Sequence, residues 1–206
     1  MNFKLIILSP EHSLKNETLL LQRLFRAGLK FFHLRKPAYS YDQLRKYLNE
    51  IPKEFHSRII IHSHYKLLDE FQLKGIHLPE NSRKDPGVLR YIRKKRPGHV
   101  SASFHSLSDL KRSKRNYAYV FLSPVFDSIS KEGHHSGFDP AFLKEQLQTF
   151  RKKQKVIALG GVTEKNIKLV RDMGFSGAAM LGHIWRNKIP EKNFRKCIEK
   201  LDEPGL

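Results

Sequence analysis

The chain has 206 residues, which is enough for one domain, residues 1–206, with a buried core. Hydrophobic residues make up 39% of the sequence, a fraction too high for a disordered chain. The formal net charge of +19 allows attraction to nucleic acids, acidic membranes or phosphorylated substrates, but no zinc-finger or RNA-recognition signature is present, so we expect no specific nucleic-acid partner. No apolar run reaches about 18 residues, so we expect no membrane-spanning helix, and the single cysteine, Cys197, excludes an internal disulfide and indicates a reducing, cytoplasmic compartment.

Short apolar segments alternate with amphipathic helical patterns along the chain. The apolar segments predict strands buried on both faces at 4–9, 31–35, 58–62, 75–78, 99–103, 117–122, 156–159 and 177–181. Helical patterns lie at 14–27, 40–50, 64–73, 85–95, 106–114, 139–151, 163–173 and 190–201. This alternation predicts a single α/β domain folded as a (β/α)8 TIM barrel, with a doubly wound open sheet as the alternative. No G-x-G-x-x-G pattern follows the first predicted strand, which disfavours the dinucleotide site typical of that alternative.

A barrel of this kind carries its active site at the carboxyl ends of the strands and in the loops that follow them. The residues at those positions include His33, His62, His77, Ser103 and His105. His105 lies between a predicted strand and a predicted helix for which Ser106 already provides the N-cap. Because local structure does not require His105, we interpret it as a catalytic candidate.

Two segments that contain glycine favour a phosphate site at the same end of the barrel. Gly160 and Gly161 in ALGGV follow the seventh predicted strand, and Leu181 and Gly182 in MLGHI follow the eighth. Glycine lets backbone amides approach an anion, a helix N-terminus attracts one, and barrels often bind phosphate at these two loops. A tight turn that binds nothing is the alternative explanation of the glycine pair.

Two other loops contain further candidates for anion binding. Arg35 in HLRKP ends the second predicted strand, where its guanidinium suits phosphate or carboxylate, and an ion pair at the barrel rim is the alternative. Ser128, Ser130 and Lys131 lie in the longest loop, 123–138, and their hydroxyl and ammonium groups can surround an anion. The Gly and Ser content of this loop indicates a lid that orders over ligand, with a polar loop of no function as the alternative.

The histidines also raise the question of a metal site. His62 is close to His64 in the sequence, and His33, His77 and His105 can converge on the same end of a barrel. However, no H-E-x-x-H motif is present, and Asp and Glu are nearly absent from the predicted strand ends, which argues against divalent-metal diphosphate chemistry. Histidine needs little change of pKa to act as a general acid or base near neutral pH. We therefore expect acid–base chemistry, with no metal site and no cofactor.

An ordered set of segments between about residues 3 and 185 resembles the thiamine phosphate synthase/TenI superfamily of barrels. The segments are FFHLRKP, RIIIHSH, GIHLPE, SASFHSL, SPVFDSISK, IALGGV and GAAMLG. The resemblance implies one of two activities. The synthase joins a pyrimidine diphosphate to a thiazole phosphate with magnesium, whereas the TenI branch moves a proton on a thiazole carboxylate phosphate, without a metal, to make the ring aromatic.

Particular positions distinguish the two branches. His62 and Ser63 stand where the synthase pattern has Asn-Asp, and Ser82 stands near the place of a second aspartate, so the aspartates that hold magnesium diphosphate in the synthase are missing. In contrast, SFHSL matches the Ser-x-His-Ser-Leu pattern of the TenI branch, and His105 falls on its catalytic histidine. The resemblance therefore implies a thiazole tautomerase in which His105 is the acid and base.

Other positions retain the anion-binding features of the superfamily. Ser128, Ser130 and Lys131 match its Thr-x-Thr-Lys phosphate loop, and its Q-L-R-E-K motif becomes HLRKP, which keeps only Arg35 in the diphosphate-binding place. The resemblance implies a phosphorylated thiazole as the ligand, bound by these residues with Gly160, Gly161, Leu181 and Gly182, and a homodimer as a common assembly. The candidates to assist His105 are His33, His62, His77 and Ser103. The alternatives are thiamine phosphate synthase, which would need magnesium, and a non-catalytic regulatory protein that binds a phosphate ligand.

Overall fold

The computed structural model describes residues 3–127, 139–150 and 153–203. Its strands are β1 (Lys4–Leu8), β2 (Phe32–Leu34), β3 (Ile59–Ile61), β4 (Gly75–Leu78), β5 (Val100–Phe104), β6 (Tyr119–Leu122), β7 (Val156–Leu159) and β8 (Gly177–Met180). All pair in parallel and in chain order, and β1 pairs with both β2 and β8, which closes the barrel. The predicted (β/α)8 barrel is confirmed, and every predicted strand is present.

The helices are α1 (Glu17–Arg26), α2 (Tyr41–Asn49), α3 (Glu80–Lys84), α4 (Pro86–Lys95), α5 (Leu107–Arg112), α6 (Pro140–Phe150), α7 (Ile167–Asp172), α8 (Gly182–Trp185) and α9 (Pro190–Asp202). Short 3-10 helices at Lys53–Arg58 and Tyr65–Asp69 precede and follow β3. The prediction of a longer helix over 64–73 is wrong, because a 3-10 turn replaces it, in which the Leu67 N–H donates to the His64 carbonyl. Within the described ranges, no helix has the length and apolar character needed to cross a bilayer.

Polar side chains determine where several helices begin. Ser40 and Gln43 form a capping box at the start of α2, in which each side chain accepts a hydrogen bond from the backbone N–H of the other residue. At the start of α5, the Ser106 hydroxyl accepts a hydrogen bond of 3.1 Å from the Asp109 N–H. The predicted role of Ser106 as N-cap is thus confirmed, and His105 lies directly between β5 and that cap.

Side chains alternate along each strand between the helices and the barrel interior. In β3, Ile59 and Ile61 belong to the outer core between strands and helices, whereas Ile60 belongs to the inner core. All three side chains are completely buried. Burial of each contributes roughly 1.5–3 kcal/mol to folding, so this two-layered core holds the strand ends in fixed positions.

The barrel interior is divided into an apolar and a polar part. The apolar inner core consists of Ile6, Leu8, Ile60, Tyr119, Phe121, Ile157 and Ala179, which lie mainly on β1 and β6–β8. Strands β2, β4 and β5 and the residue after β3 contribute hydrogen-bonded polar side chains instead: His33, His62, His77, Ser101 and Ser103. We call these five residues the polar sector.

Candidate functional site

A cavity of about 340 Å³ lies at the carboxyl ends of the strands, the usual place of the active site in such barrels. The predicted site residues on its wall are Arg35, His62, Ser103, His105, Gly160, Gly161, Leu181 and Gly182. Glu11, Glu80 and His183 also line it. The cavity has the size of a site for one small molecule, and it brings together most of the residues that the sequence analysis identified.

His105 follows β5 on the pocket wall and is exposed. Its Nδ1 atom lies 3.0 Å from the carbonyl oxygen of Ser123. A carbonyl oxygen can only accept a hydrogen bond, so Nδ1 carries the hydrogen, and Nε2 of the neutral ring has the free lone pair. The imidazole is therefore held in the tautomer that suits Nε2 to act as a base.

Arg35 is fixed through both its backbone and its side chain. The Ser9 hydroxyl accepts from the Arg35 N–H at 2.7 Å and donates to the Arg35 carbonyl at 2.9 Å. The Arg35 guanidinium forms an ion pair with Glu11, and both residues line the pocket. An anionic ligand would therefore share the guanidinium with the Glu11 carboxylate.

Gly160 and Gly161 lie where only glycine fits. Their φ angles are +98° and +63°, in the left-handed region that side chains disfavour. A Cβ atom on Gly160 would lie 2.9 Å from Cα of Pro124, and one on Gly161 would lie 2.4 Å from the carbonyl oxygen of Asp127. The loop after β7 thus packs directly against the loop after β6 while its glycines line the pocket.

The two glycine loops differ in their relation to a helix N-terminus. The helix predicted over 163–173 begins later than expected, because residues 163–166 form a turn and α7 begins only at Ile167. The Asn166 side chain closes this turn by donating to the Gly161 carbonyl at 2.9 Å. Gly182, in contrast, is the first residue of α8, and the first amides of a helix have no partner within it.

Three imidazoles of the polar sector are in contact beneath the pocket. His33 Nδ1 and His62 Nε2 share a hydrogen bond of 2.8 Å, and the rings of His62 and His77 stack with their centroids 4.2 Å apart. On its other side, His33 Nε2 lies 2.5 Å from the Tyr119 hydroxyl. These contacts give each buried imidazole a polar or aromatic neighbour.

The candidate assisting residues divide into two groups. His62 and Ser103 line the pocket, whereas His33 and His77 lie within β2 and β4 and are completely buried. His77 connects to the pocket wall through Ser103, whose hydroxyl lies 2.7 Å from His77 Nε2, while the Ser101 hydroxyl lies 2.9 Å from His77 Nδ1. His33 and His77 can therefore affect a ligand only through their neighbours.

The imidazoles of His33, His62 and His77 are uncharged at neutral pH. Burial lowers the pKa of each well below the ordinary histidine value, because the charged form loses its hydration. The neighbouring imidazoles lower these pKa values further, since a charge on one ring disfavours a charge on the next. Each ring thus keeps a nitrogen lone pair.

The structure adds acidic residues that the sequence patterns do not identify as site residues. His183 on the pocket wall has its Nε2 atom 2.6 Å from a Glu164 carboxylate oxygen. Burial lowers the pKa of His183, although Glu164 opposes that shift. Glu11 and Glu164 both follow shortly after a strand. Because the chain is strongly basic, an acidic side chain at such a position is unusual, and this could have identified both as candidate site residues.

Ser128, Ser130 and Lys131 lie outside the described residues, so their contact with an anion stays a prediction. The described part of the same loop packs against the glycine loop after β7. The Val125 N–H donates to the Leu159 carbonyl at 2.9 Å, and the Phe126 N–H donates to the Gly160 carbonyl at 3.3 Å. The chain therefore passes the edge of the pocket before residue 128.

Comparisons with known proteins agree with this fold. A family model described as thiamine monophosphate synthase matches residues 5–184. The chain is 25% identical to thiamine-phosphate synthase of Anoxybacillus flavithermus over 179 residues, which cover 84% of this chain and 81% of that protein. It is 26% identical to thiamine-phosphate synthase 1 of Streptococcus pneumoniae over 196 residues, 90% of each chain.

Among solved structures, the crystal structure of thiamine phosphate pyrophosphorylase from Bacteroides thetaiotaomicron is similar over 99% of this chain and 100% of that one. The TM-score is 0.81 and the sequence identity is 31%. The family match spans the barrel from β1 to α8 and includes the described pocket wall. The chain therefore belongs to the thiamine monophosphate synthase family.

Proposed function

We propose that this protein moves a proton on a phosphorylated thiazole and thereby makes the ring aromatic, with His105 as both acid and base. The observation that carries the proposal is the 3.0 Å contact between His105 Nδ1 and the Ser123 carbonyl. This contact selects the tautomer with a basic Nε2 atom in a pocket that suits one small ligand. A positioned histidine of this kind is the commonest general base near neutral pH.

The reaction requires two proton transfers, and one imidazole can perform both. Nε2 of His105 removes a proton from one carbon of the thiazole, and the electron pair of the broken C–H bond shifts into the ring system. The imidazolium that forms keeps its Nδ1–H bond to the Ser123 carbonyl. Nε2–H then returns the proton to a neighbouring carbon, which restores the neutral histidine. The His105 ring is exposed in the free protein, so the bound ligand would have to exclude water for the same proton to be returned.

The phosphate of the ligand needs donors that do not interfere with His105. Backbone amides at Gly160, Gly161 and Gly182 supply them, since all three residues line the pocket. Arg35 attracts the anion from the neighbouring wall. In this proposal, Ser128, Ser130 and Lys131 complete the phosphate site from the loop after β6.

Thiamine-phosphate synthase activity is the second candidate, because the relatives bear that name and thus favour it more directly than proton transfer. The synthase of the superfamily uses magnesium, which prefers carboxylate and other oxygen ligands. The described pocket wall fits magnesium poorly. His62 and Ser63 follow β3, and of the carboxylates Glu11 and Glu80 on that wall, Glu11 is already paired with Arg35. No step of the proposed reaction passes through magnesium.

Two assays on the purified protein distinguish these activities. The first supplies the non-aromatic thiazole carboxylate phosphate without added magnesium and follows formation of the aromatic tautomer by NMR. The second supplies pyrimidine diphosphate, thiazole phosphate and magnesium and follows release of diphosphate. We expect turnover in the first assay. Turnover in the second assay alone would assign the synthase reaction, and binding without turnover in either would favour a non-catalytic phosphate-binding protein.

A further inference from the structure

The polar sector contains three imidazoles that converge from adjacent strands. His33 lies in β2, His62 directly follows β3, and His77 lies in β4. One ring nitrogen from each of the three lies within 4.8 Å of the others, and all three residues are buried. His33 Nδ1 and His62 Nε2 are only 2.8 Å apart. A set of side chains this close can share a single central atom.

The surroundings of the three rings match the way proteins orient metal-binding histidines. A ligating histidine usually bonds through its second ring nitrogen to a fixed polar group, which sets the tautomer and the ring orientation. His33 has the Tyr119 hydroxyl 2.5 Å from its Nε2, and His77 has the Ser101 hydroxyl 2.9 Å from its Nδ1. The Ser103 hydroxyl lies 2.7 Å from the other nitrogen of His77, so a serine hydroxyl remains to orient this ring whichever of its nitrogens binds an ion.

The chemistry of the donors determines the class of metal. Magnesium and calcium prefer oxygen ligands, whereas imidazole suits zinc, copper, cobalt and nickel. Three histidines with a fourth, open position form one of the common arrangements of catalytic zinc. The cluster borders the pocket, because His62 lies on the pocket wall. From the sequence we expect no metal, because no H-E-x-x-H motif is present and carboxylates are nearly absent from the strand ends, but a site of three imidazoles needs no carboxylate ligand.

We propose that His33, His62 and His77 bind one transition-metal ion of the zinc type at the floor of the pocket. In a tetrahedral site with zinc–nitrogen bonds of about 2.1 Å, two ligand nitrogens lie roughly 3.4 Å apart. The ion thus replaces the proton between His33 and His62, and the two rings separate by roughly half an ångström. The pocket supplies the entry path, and water or a ligand atom takes the fourth position.

The test uses the full chain without an affinity tag, freed of metal by dialysis against a chelator. Zinc binding is measured by calorimetry, and cobalt binding by visible absorption, with no substrate present. We expect one ion per chain with a Kd of about 1 µM or tighter. His62→Gln and His77→Gln each weaken binding by at least about tenfold. His64→Gln is the matched control, because His64 is an exposed histidine close to His62 in the sequence, and it leaves the Kd unchanged.

Absence of binding by the wild type, or binding that survives both cluster substitutions, would overturn the proposal. Circular dichroism and the Tm report whether the variants fold. If they do not, the cobalt spectrum of the wild type decides, because a tetrahedral nitrogen site absorbs visible light strongly and a six-coordinate surface site absorbs weakly. Since no substrate is used, the outcome does not depend on which reaction the pocket catalyses.

Discussion

The Nδ1–H of His105 donates a hydrogen bond of 3.0 Å to the carbonyl oxygen of Ser123, and this bond joins the end of β5 to the chain directly after β6. The acceptor is a backbone atom, so the barrel itself, and not a neighbouring carboxylate, selects the tautomer of the ring. His105 therefore keeps a basic Nε2 atom as long as these two strands remain paired. The pairing of two strands thus has a direct chemical consequence in the pocket.

Arg35 and Glu11 form an ion pair on the pocket wall, so substitutions of the two residues act in opposite directions. Glu11→Gln removes the carboxylate that competes for the guanidinium, and we expect the KM for the phosphorylated ligand to fall by roughly two- to fivefold. Arg35→Gln removes a charged donor, and KM rises by about tenfold or more. Steady-state kinetics measure both. A higher KM for Glu11→Gln would mean that Glu11 binds the ligand instead of competing with it.

Gly161 is required by the close packing of two loops. In Gly161→Ala the new Cβ atom meets the Asp127 carbonyl at 2.4 Å with a φ of +63°, so the free energy of unfolding falls by more than about 1 kcal/mol. Gly98→Ala is the matched control, because a Cβ atom there has nothing within 4 Å, and its effect stays within about 0.5 kcal/mol. Urea denaturation compares the two variants. Equal stability would show that the loops relax without cost.

The hydroxyl of Tyr119 satisfies a buried imidazole. Tyr119→Phe removes the partner of His33 Nε2, and an unsatisfied buried polar atom costs about 1–3 kcal/mol. Tyr41→Phe removes an exposed hydroxyl that bonds to Glu70, and its cost stays below about 0.5 kcal/mol. Both variants are unfolded in urea with a chelator present, so that metal binding does not contribute. If Tyr119→Phe costs no more than Tyr41→Phe, the His33 contact contributes little to stability.

His99 makes the stability of the fold depend on pH. Burial, and then the nearby Lys74 and Lys4, lower its pKa from 6.5 to about 4. Below pH 6.5 the unfolded chain therefore binds a proton that the folded chain does not, and the free energy of unfolding falls as the pH decreases from 6.5 to about 4. We expect His99→Phe to lose less stability over this range than the wild type.

The matching measurement is urea denaturation at several pH values between 7 and 4 in the presence of a chelator. The variant keeps part of the pH dependence, because burial also lowers the pKa of His33, His62, His77 and His183. We expect the free energy of unfolding of His99→Phe to decrease less than that of the wild type as the pH falls. Parallel curves for the two proteins would mean that His99 takes up its proton equally well in the folded chain.

The strands could be predicted because each is short and rich in apolar residues, as burial on both faces requires. The β3 segment, with Ile59, Ile60 and Ile61, is an example in which composition alone identifies the strand. Helical periodicity was less decisive. Over a stretch as short as 64–73 it does not distinguish an α-helix from the 3-10 turn that occurs at Tyr65–Asp69.

The site could be predicted where a residue follows a strand, as His105 and Gly161 do. The polar sector was harder to identify, because it depends on which face of the strand a side chain occupies. In FHL and IHL the histidine lies between two outward apolar residues, and this alternation places His33 and His77 inside the barrel. The pairing of Glu11 with Arg35 joins two different loops, and no local pattern contains that information.

The role of His105 as acid and base is tested by the rates at which the wild type and His105→Asn aromatise the thiazole. His64→Asn is the control, since His64 is exposed and its φ of 49° suits asparagine. We expect kcat of His105→Asn to fall by about 100-fold or more while its Tm stays close to that of the wild type, and His64→Asn to retain full activity. A His105→Asn protein that aromatises the thiazole at the wild-type rate would contradict the assignment of His105 as the acid and base.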